Sequence, residues 1–209
     1  MRRQIISYLL ITLLCAASGV AHASKQRNSK PKPEPTDIRK VDFLNFGYQS
    51  NLCSQEFGKK GIPRIVNVRK GEFKNKSVYF SVVADKIIYA DVTGDGREDA
   101  IVPLECGAMG ANFSRSEVNI YSMDGGLTLV ATTNDKELEK DYRANYSDAD
   151  SYWGFNENGI KVSNGNVQFE VLTDGSHAAP KYIVTLEYSW SAMTLSLKGK
   201  PQRRPGPAH

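Results

Sequence analysis

DVTGDGREDA, residues 91–100, lies between two apolar runs, IIYA at residues 87–90 and AIVPL at residues 100–104. Its two glycines, Gly94 and Gly96, tolerate the positive φ angles of a tight turn. The β-branched and aromatic residues on both sides favour strands over helices. The stretch therefore predicts two strands joined by a tight acidic loop, and it indicates a β architecture for the chain around it.

The loop carries oxygen-bearing side chains at a spacing that suits a hard cation. Counted from Asp91, side-chain oxygens stand at positions 1, 3, 5 and 9 and a backbone carbonyl at position 7: Asp91, Thr93, Asp95 and Asp99, with Arg97 offering its carbonyl. Calcium takes about six to eight such oxygens. Position 12 is Val102, where an EF-hand has a bidentate Glu, so we expect weak binding, at about 10⁻⁴ to 10⁻³ M. The alternative is a plain turn whose Asp and Thr side chains accept hydrogen bonds from their own backbone.

The rest of the body reads mostly as strands. Runs of β-branched and aromatic residues recur at 65–68, 78–83, 87–91, 118–121, 127–130, 160–163, 166–172, 182–188 and 193–197. Asn164-Gly165 predicts a two-residue type I′ hairpin turn. One helix is predicted, with a cap at Asn134 and an end near Asn145. The expected fold is mainly β (α+β), an antiparallel meander of about eight or nine strands with one short helix.

Residues 1–23 read as a secretory signal peptide. Two arginines follow the first methionine, an apolar core of about 13 residues comes next, and AHA at residues 21–23 offers a small-x-small cleavage pattern. We expect the mature chain to begin at Ser24. The protein would then be secreted or periplasmic, with no membrane span after cleavage, because the apolar run is shorter than a spanning helix requires.

The expected mature chain contains two cysteines, Cys53 and Cys106. In an oxidising compartment an isolated pair is most simply one disulfide. The alternative, a nucleophilic or metal-binding thiol, finds no second thiol cluster in the sequence. The histidines of the mature chain are His177 and His209. We therefore predict a structural disulfide between the two cysteines.

The two ends of the chain differ in composition from the body. Residues 24–40, rich in Pro and Lys, predict a disordered linker, and residues 198–209 predict a disordered basic tail. Between them, we expect a single β-rich domain at residues 41–197, which hold 15 basic and 21 acidic residues. Because this body has no basic pattern interleaved with aromatics, we expect no nucleic-acid binding.

Few residues stand out as functional candidates. Trp153 and Trp190 are candidate ligand-binding residues, since an indole ring can stack on a sugar ring or a peptide, although core filling is the alternative. The segment DGSH at residues 174–177 lacks the elbow of a serine hydrolase and predicts a turn with a surface histidine, so no catalytic residue is assigned.

We therefore expect an exported, non-enzymatic β domain that acts as a binding or envelope-associated module, with calcium as its candidate cofactor. Its partner would be an unknown envelope or extracellular ligand. The alternatives are a hydrolase of envelope or extracellular polymers, in which the loop metal would support the site, and an inhibitor or accessory factor of another secreted protein.

Two family resemblances follow from the same residues. The loop at residues 91–99 resembles the Asp-rich calcium loop of FG-GAP and VCBS-type repeats, of which this chain has one copy. A longer likeness runs from this loop to Cys106, through the strands at 118–121 and 127–130, to YSW at residues 188–190. These features resemble the LppP/LprE-type exported bacterial proteins. The resemblance implies location and fold; it implies no lipid anchor, because the lipobox cysteine of those lipoproteins is missing here.

Overall fold

A computed structural model describes residues 37–206 as a mainly β structure of thirteen strands and two short α-helices. The signal peptide predicted at residues 1–23 and most of the linker predicted at 24–40 lie outside the described residues. The predicted fold class is confirmed. The strands outnumber the predicted eight or nine because several are only three or four residues long, too short for a clear alternation of apolar and polar residues.

A six-stranded antiparallel sheet forms the first half of the fold. It has the order β3-β4-β6-β7-β8, with β5 pairing a further part of β6. Its strands are β3 (Glu72–Lys74), β4 (Val78–Val82), β5 (Ile88–Ala90), β6 (Asp99–Ala108), β7 (Arg115–Met123) and β8 (Leu127–Asn134). The strands β1 (Gly47–Gln49) and β2 (Ile65–Asn67) form a separate two-stranded sheet before it. The two strands predicted around the 91–99 loop are β5 and β6.

A five-stranded antiparallel sheet forms the second half, in the order β12-β11-β10-β9, with β13 pairing β11. Its strands are β9 (Tyr152–Ser163), β10 (Asn166–Ser176), β11 (Ala179–Ser191), β12 (Thr194–Leu197) and β13 (Gln202–Pro205). Asn164 and Gly165 join β9 to β10 with φ angles of 51° and 74°. These angles are those of the predicted type I′ turn.

Strand β6 separates two hydrophobic cores. Ala100, Val102 and Leu104 enter a core shared with the N-terminal elements, whereas Ile101 enters a core shared with the five-stranded sheet. Successive side chains of a strand point to opposite faces, so a strand buried on both faces needs apolar residues throughout. This requirement explains the unbroken apolar run that follows the acidic loop in the sequence.

The helix α2 (Asp135–Asn145) begins and ends where it was predicted. The Asn134 side chain accepts hydrogen bonds from the backbone N–H groups of Lys136 and Glu137, which otherwise lack partners at a helix start. Leu138 and Tyr142, four residues apart, are both fully buried in the second core. Among residues 37–206, no helix combines the length and apolar character that crossing a membrane requires.

The predicted disulfide is present and joins α1 (Leu52–Phe57) to β6. Cys53 and Cys106 have Cα atoms 6.0 Å apart. A buried carboxylate holds the same helix, because Glu117 of β7 accepts hydrogen bonds from the Ser50 hydroxyl, at 3.2 Å, and from the backbone N–H of Asn51, at 3.1 Å. Burial raises the pKa of the Glu117 carboxyl, while these donors act in the opposite direction.

The structure corrects the predicted boundaries of the domain at both ends. The residues of β13 belong to the segment 198–209 that was expected to be a disordered tail, and its Arg203 guanidinium lies 3.8 Å from the ring centroid of Tyr146. At the other end, residues 37–40 of the expected linker include a short 3-10 turn, and Ile38 is buried in the first core. The composition of these segments is polar and predicts disorder. It contains no information about the distant residues of the body that pack against them.

Candidate functional site

Two adjoining hollows lie where the six-stranded sheet faces the bulged end of β9. One hollow, of about 560 Å³, has a mixed lining that includes apolar side chains such as Val83, Leu104 and Phe155, and we call it the apolar hollow. A polar hollow of about 750 Å³ is bordered by side chains such as Tyr79 and Asn112. Both hollows share a set of residues that includes Glu105, Asp135, Trp153 and His177. We call the two hollows together the inter-sheet cleft.

A bulge in β9 places Trp153 in the cleft. Tyr152 pairs with Thr173 and Gly154 pairs with the adjacent Leu172, so Trp153 is an extra residue with no partner on β10. Gly154 has a φ of 97°, which a side chain would disfavour. A bulge changes the direction of a side chain, and bulges are frequent beside functional sites. The structure therefore brings neighbouring Tyr152 and Trp153 to one cleft, although a regular strand would send them to opposite faces.

A second bulge follows in the same strand. Phe155 pairs with Val171, and the next pair along β9 is Ile160 with Phe169. The four residues 156–159 thus stand opposite one residue of β10, Glu170, so β9 has three more residues than its partner here. Gly159 permits this path, because a Cβ atom there would lie 2.5 Å from the carbonyl oxygen of Glu170. Asn156, Asn158 and Gly159 of this bulge border the apolar hollow.

Asp135 supplies a buried carboxylate to the cleft. It is the first residue of α2, and only 3% of its surface is exposed. Its Oδ2 accepts a hydrogen bond from the Ser116 backbone N–H at 2.7 Å, and its Oδ1 accepts one from the Tyr152 hydroxyl at 3.0 Å. Burial raises the pKa of Asp135 to about 6, although both donors favour the ionised form. A group with this pKa changes charge near neutral pH.

Glu105 supplies a second, more accessible carboxylate. It lies on β6, and its Oε1 accepts a hydrogen bond from the Tyr79 hydroxyl at 3.1 Å. Desolvation and the charge of Glu105 raise the pKa of Tyr79, so this hydroxyl keeps its proton and continues to donate. Within residues 37–206, neither Glu105 nor Asp135 forms an ion pair.

The two candidate tryptophans have different positions. Trp153 is 38% exposed at the junction of the two hollows, and its ring meets the His177 ring edge to face, with centroids 5.6 Å apart. Trp190 is half-buried and packs against the second core. His177 is exposed in the turn between β10 and β11, the surface position that the sequence predicted for it. The structure thus places Trp153 at the cleft, whereas Trp190 contributes to packing.

The 91–99 loop is organised by hydrogen bonds from its own backbone. Asp91 accepts from the N–H groups of Gly94, at 2.7 Å, and Gly96, at 2.9 Å. The Oδ2 of Asp99 accepts from the N–H groups of Val92, at 2.9 Å, and Thr93, at 2.8 Å. These are the contacts expected for the plain-turn alternative.

Two oxygens of the loop nevertheless lack a partner. Thr93 Oγ1 and Asp99 Oδ1, at positions 3 and 9 of the predicted ligand set, are buried without a hydrogen bond. Asp95 instead forms an ion pair with Arg97, at 2.6 Å. In the part of the chain that the structure describes, no three His, Cys, Asp or Glu side chains lie close enough together to hold a metal. Thr93 Oγ1 and Asp99 Oδ1 are free to bind a cation. Asp95 could join them as a ligand only if its ion pair with Arg97 opened.

The architecture defines a class of protein, an antiparallel β domain with a disulfide and a cleft between two sheets. No protein-family model, curated protein or solved structure matches the chain. The resemblances inferred from the sequence therefore stay predictions, and the cleft itself is the basis for a functional conclusion.

Sequence reasoning missed the two carboxylates of the cleft. Glu105 carried a signal, since it is the only charged residue in the apolar run at residues 100–106. A charge in such a run indicates a local gap in the burial of a strand. Asp135 carried none, because an acid in the first turn of a helix is favoured there for its own sake.

Proposed function

We propose that the protein is an exported, non-enzymatic binding module whose inter-sheet cleft holds an envelope or extracellular ligand. The single observation that carries this proposal is the position of Trp153. A bulge in β9 directs its side chain toward the cleft, where 38% of the residue is exposed. A large aromatic ring at this exposure offers apolar contact area at a small cost in side-chain entropy. Cleft sites of this size with a few polar groups are typical ligand sites.

Export is supported by the pattern of residues 1–23 and by the disulfide, which persists in oxidising compartments. The likeness to LppP/LprE-type proteins supports the same location. Mass spectrometry of the protein recovered from a bacterial host tests this part. A mature chain beginning at Ser24 in the periplasm or medium supports export, and an uncleaved chain in the cytoplasm contradicts it.

We further propose that calcium stabilises the 91–99 loop. The two buried oxygens without partners, Thr93 Oγ1 and Asp99 Oδ1, support this role. Loop carboxylates from Asp91 and Asp95 would join them as ligands, and the backbone carbonyl of Arg97 would add another. No residue of the loop borders the inter-sheet cleft, so the cation would support the fold and would not contact the ligand.

A nuclear magnetic resonance titration tests the binding proposal directly. The chain has two tryptophans, so its spectrum contains two indole N–H signals, one from the cleft and one from the second core. A panel of soluble peptidoglycan fragments, oligosaccharides and short peptides is added to the mature protein. Binding in the cleft shifts the Trp153 signal, spares the Trp190 signal and is lost in Trp153→Ala. A panel that shifts neither signal contradicts the proposed function.

A hydrolase is the second candidate, and the pair of carboxylates favours it. Asp135, with a pKa of about 6, is suited to act as a general acid, and Glu105 borders the same cleft. Glycoside hydrolysis uses two such carboxylates. The same oligosaccharide panel is followed by mass spectrometry for cleavage. Turnover that Asp135→Asn abolishes would establish the hydrolase in place of the binding module.

A further inference from the structure

We propose that the inter-sheet cleft recognises a cationic side chain, the alkylammonium group of lysine or the guanidinium group of arginine, presented by a peptide. This inference rests on the proposed function and names the ligand class of the same site. Three properties of the cleft carry it: its unpaired carboxylates, its aromatic lining and its division into a polar and an apolar part.

The first property is an excess of negative charge. Glu105 and Asp135 border the polar hollow, and ionised carboxylates only accept hydrogen bonds, so they select donors. Arg115 also borders the polar hollow, and its Nε donates to Glu56 at 2.9 Å. On the side of the apolar hollow, Lys86 donates to the Asn158 side chain and pairs with Asp85 at 3.6 Å. Asp135 is buried, both its oxygens already accept hydrogen bonds, and the charge of Arg115 acts on it, so it adds negative charge to the cleft without being exposed. Glu105 is half-buried and forms no ion pair among the described residues, and it is the carboxylate that a cation from outside can contact.

The second property is the aromatic character of the polar hollow. Four aromatic side chains border it: Tyr79, Phe113, Tyr152 and Trp153. The face of an aromatic ring attracts cations, and tryptophan does so most strongly. Arg115 already lies over Phe113, 5.8 Å from the ring centroid. Within residues 37–206, no Lys or Arg side chain occupies the face of Trp153.

The third property is the shape of the cleft. Trp153 and Asp135 stand where the two hollows meet, and the apolar hollow continues past them along Pro103, Leu104 and Phe155. Lysine and arginine have apolar stems that bury against apolar surface while the charged head stays near polar groups. A lysine or arginine side chain would therefore place its charge near the carboxylates and its stem along Trp153. A bare metal ion would leave the apolar part of the cleft without a contact.

The test uses pairs of peptides that differ in the charged group, Gly-Ser-Arg-Ser-Gly against the same peptide with citrulline, and Gly-Ser-Lys-Ser-Gly against the same peptide with norleucine, which lacks the ammonium group. Each is titrated into the mature protein while the two indole signals are followed. We expect the arginine and lysine peptides to shift the Trp153 signal and to bind at least about tenfold more tightly than their neutral partners, since a charge-assisted hydrogen bond is lost. The Trp190 signal should not move.

Glu105→Gln removes one charge from the cleft and keeps the side-chain shape. We expect it to weaken binding of the arginine peptide by about tenfold and to leave the citrulline peptide unaffected. Glu72→Gln is the control, because Glu72 is an exposed acid on β3 that pairs with Lys74 and lies outside the cleft. It should change neither affinity.

The possible failures are distinguishable. If neutral and cationic peptides shift Trp153 equally, the cation inference is overturned while the binding module stands. The same conclusion follows if oligosaccharides shift Trp153 and all four peptides do not. If no probe shifts Trp153 in a folded protein, both the inference and the proposed function fail.

Discussion

The rings of Trp153 and His177 meet edge to face, with centroids 5.6 Å apart and planes inclined at 72°. This contact joins the bulge of β9 to the turn between β10 and β11. Strand β10 lies between these two segments in the chain. It supports the indole on one side while leaving 38% of Trp153 exposed. The cleft thus presents a tryptophan whose ring is in contact with a surface histidine.

His177→Ala should leave the fold intact and loosen the cleft. Because His177 is exposed, we expect the free energy of unfolding to change by less than about 1 kcal/mol. The Trp153 indole signal should broaden or move, and the affinity for any cleft ligand should fall. Chemical denaturation and the two-indole spectrum measure both effects. An unchanged Trp153 signal would show that the ring contact does not position the indole.

Removing the disulfide should lower stability strongly. The bridge joins residues separated by 53 positions, and the loop-entropy estimate for that length is about 4 kcal/mol. The double variant Cys53→Ala/Cys106→Ala avoids a lone thiol, and its melting is compared with that of the oxidised and reduced wild type. Equal melting of all three, with two free thiols in the untreated wild type, would contradict the bridge.

Calcium should raise the melting temperature if the 91–99 loop binds it. At about 5 mM calcium and a Kd of about 10⁻⁴ to 10⁻³ M, the expected rise over EDTA is about 2 to 9 °C. Asp95→Asn should abolish the rise. Asp124→Asn should keep it, because Asp124 contacts Arg97 at 3.2 Å but lies outside the predicted ligand set. The same melting temperature with calcium and with EDTA would leave the loop a plain hydrogen-bonded turn.

Arg203→Ala should destabilise the domain. Only 13% of its side chain is exposed, its guanidinium stacks on Tyr146, and its Nη1 lies 2.9 Å from an oxygen of Asp148. We expect a loss of about 2 to 3 kcal/mol in urea unfolding. The neighbouring Arg204 is 52% exposed and pairs with Glu170 at 3.3 Å, so Arg204→Ala should cost no more than about 0.5 kcal/mol. If both substitutions lowered the free energy of unfolding by the same small amount, residues 198–209 would be a disordered tail, as the sequence predicted.

Asp135 should make the stability of the domain depend on pH. Its pKa is raised from 3.8 to about 6 in the folded state, so its neutral form is favoured by folding. Asp135 therefore adds about 3 kcal/mol to the free energy of unfolding below about pH 4, and this contribution is lost as the pH rises through about 6. Asp135→Asn cannot titrate. The difference in unfolding free energy between wild type and variant, measured from pH 4 to 7.5, should therefore change by most of this amount.

A constant difference across that range would show that Asp135 titrates alike in both states. The comparison isolates this group, because every other carboxyl group is common to the two proteins. Glu117, whose pKa burial also raises, contributes equally to both and cancels.

Much of the fold could be predicted because its signals are local. The Asn134 cap, the Asn164-Gly165 turn and the strands β5 and β6 beside the acidic loop follow from residues that are neighbours in the chain. The disulfide could be predicted because the expected mature chain has two cysteines, and two cysteines can form only one pair. Even the ends of α2 were predicted correctly.

The errors have a common physical origin. The basic segment around Arg203 was expected to be disordered, yet it forms β13, because Tyr146 and Asp148 lie more than 50 positions away in the chain and supply its partners. Composition describes the solvation of a segment in isolation. It does not describe the surface on which the segment folds.

By itself, then, the sequence determined the β class, the helix, the hairpin turn and the cysteine pair, all of which depend on short-range geometry or on counting. Tertiary structure alone decided the cleft. A bulge in β9 turned Trp153 out of its ladder, and the packing of two sheets brought it to Glu105 and Asp135. Sequence periodicity specifies which face of a strand is buried, but the meeting of distant side chains depends on the register and packing of whole sheets.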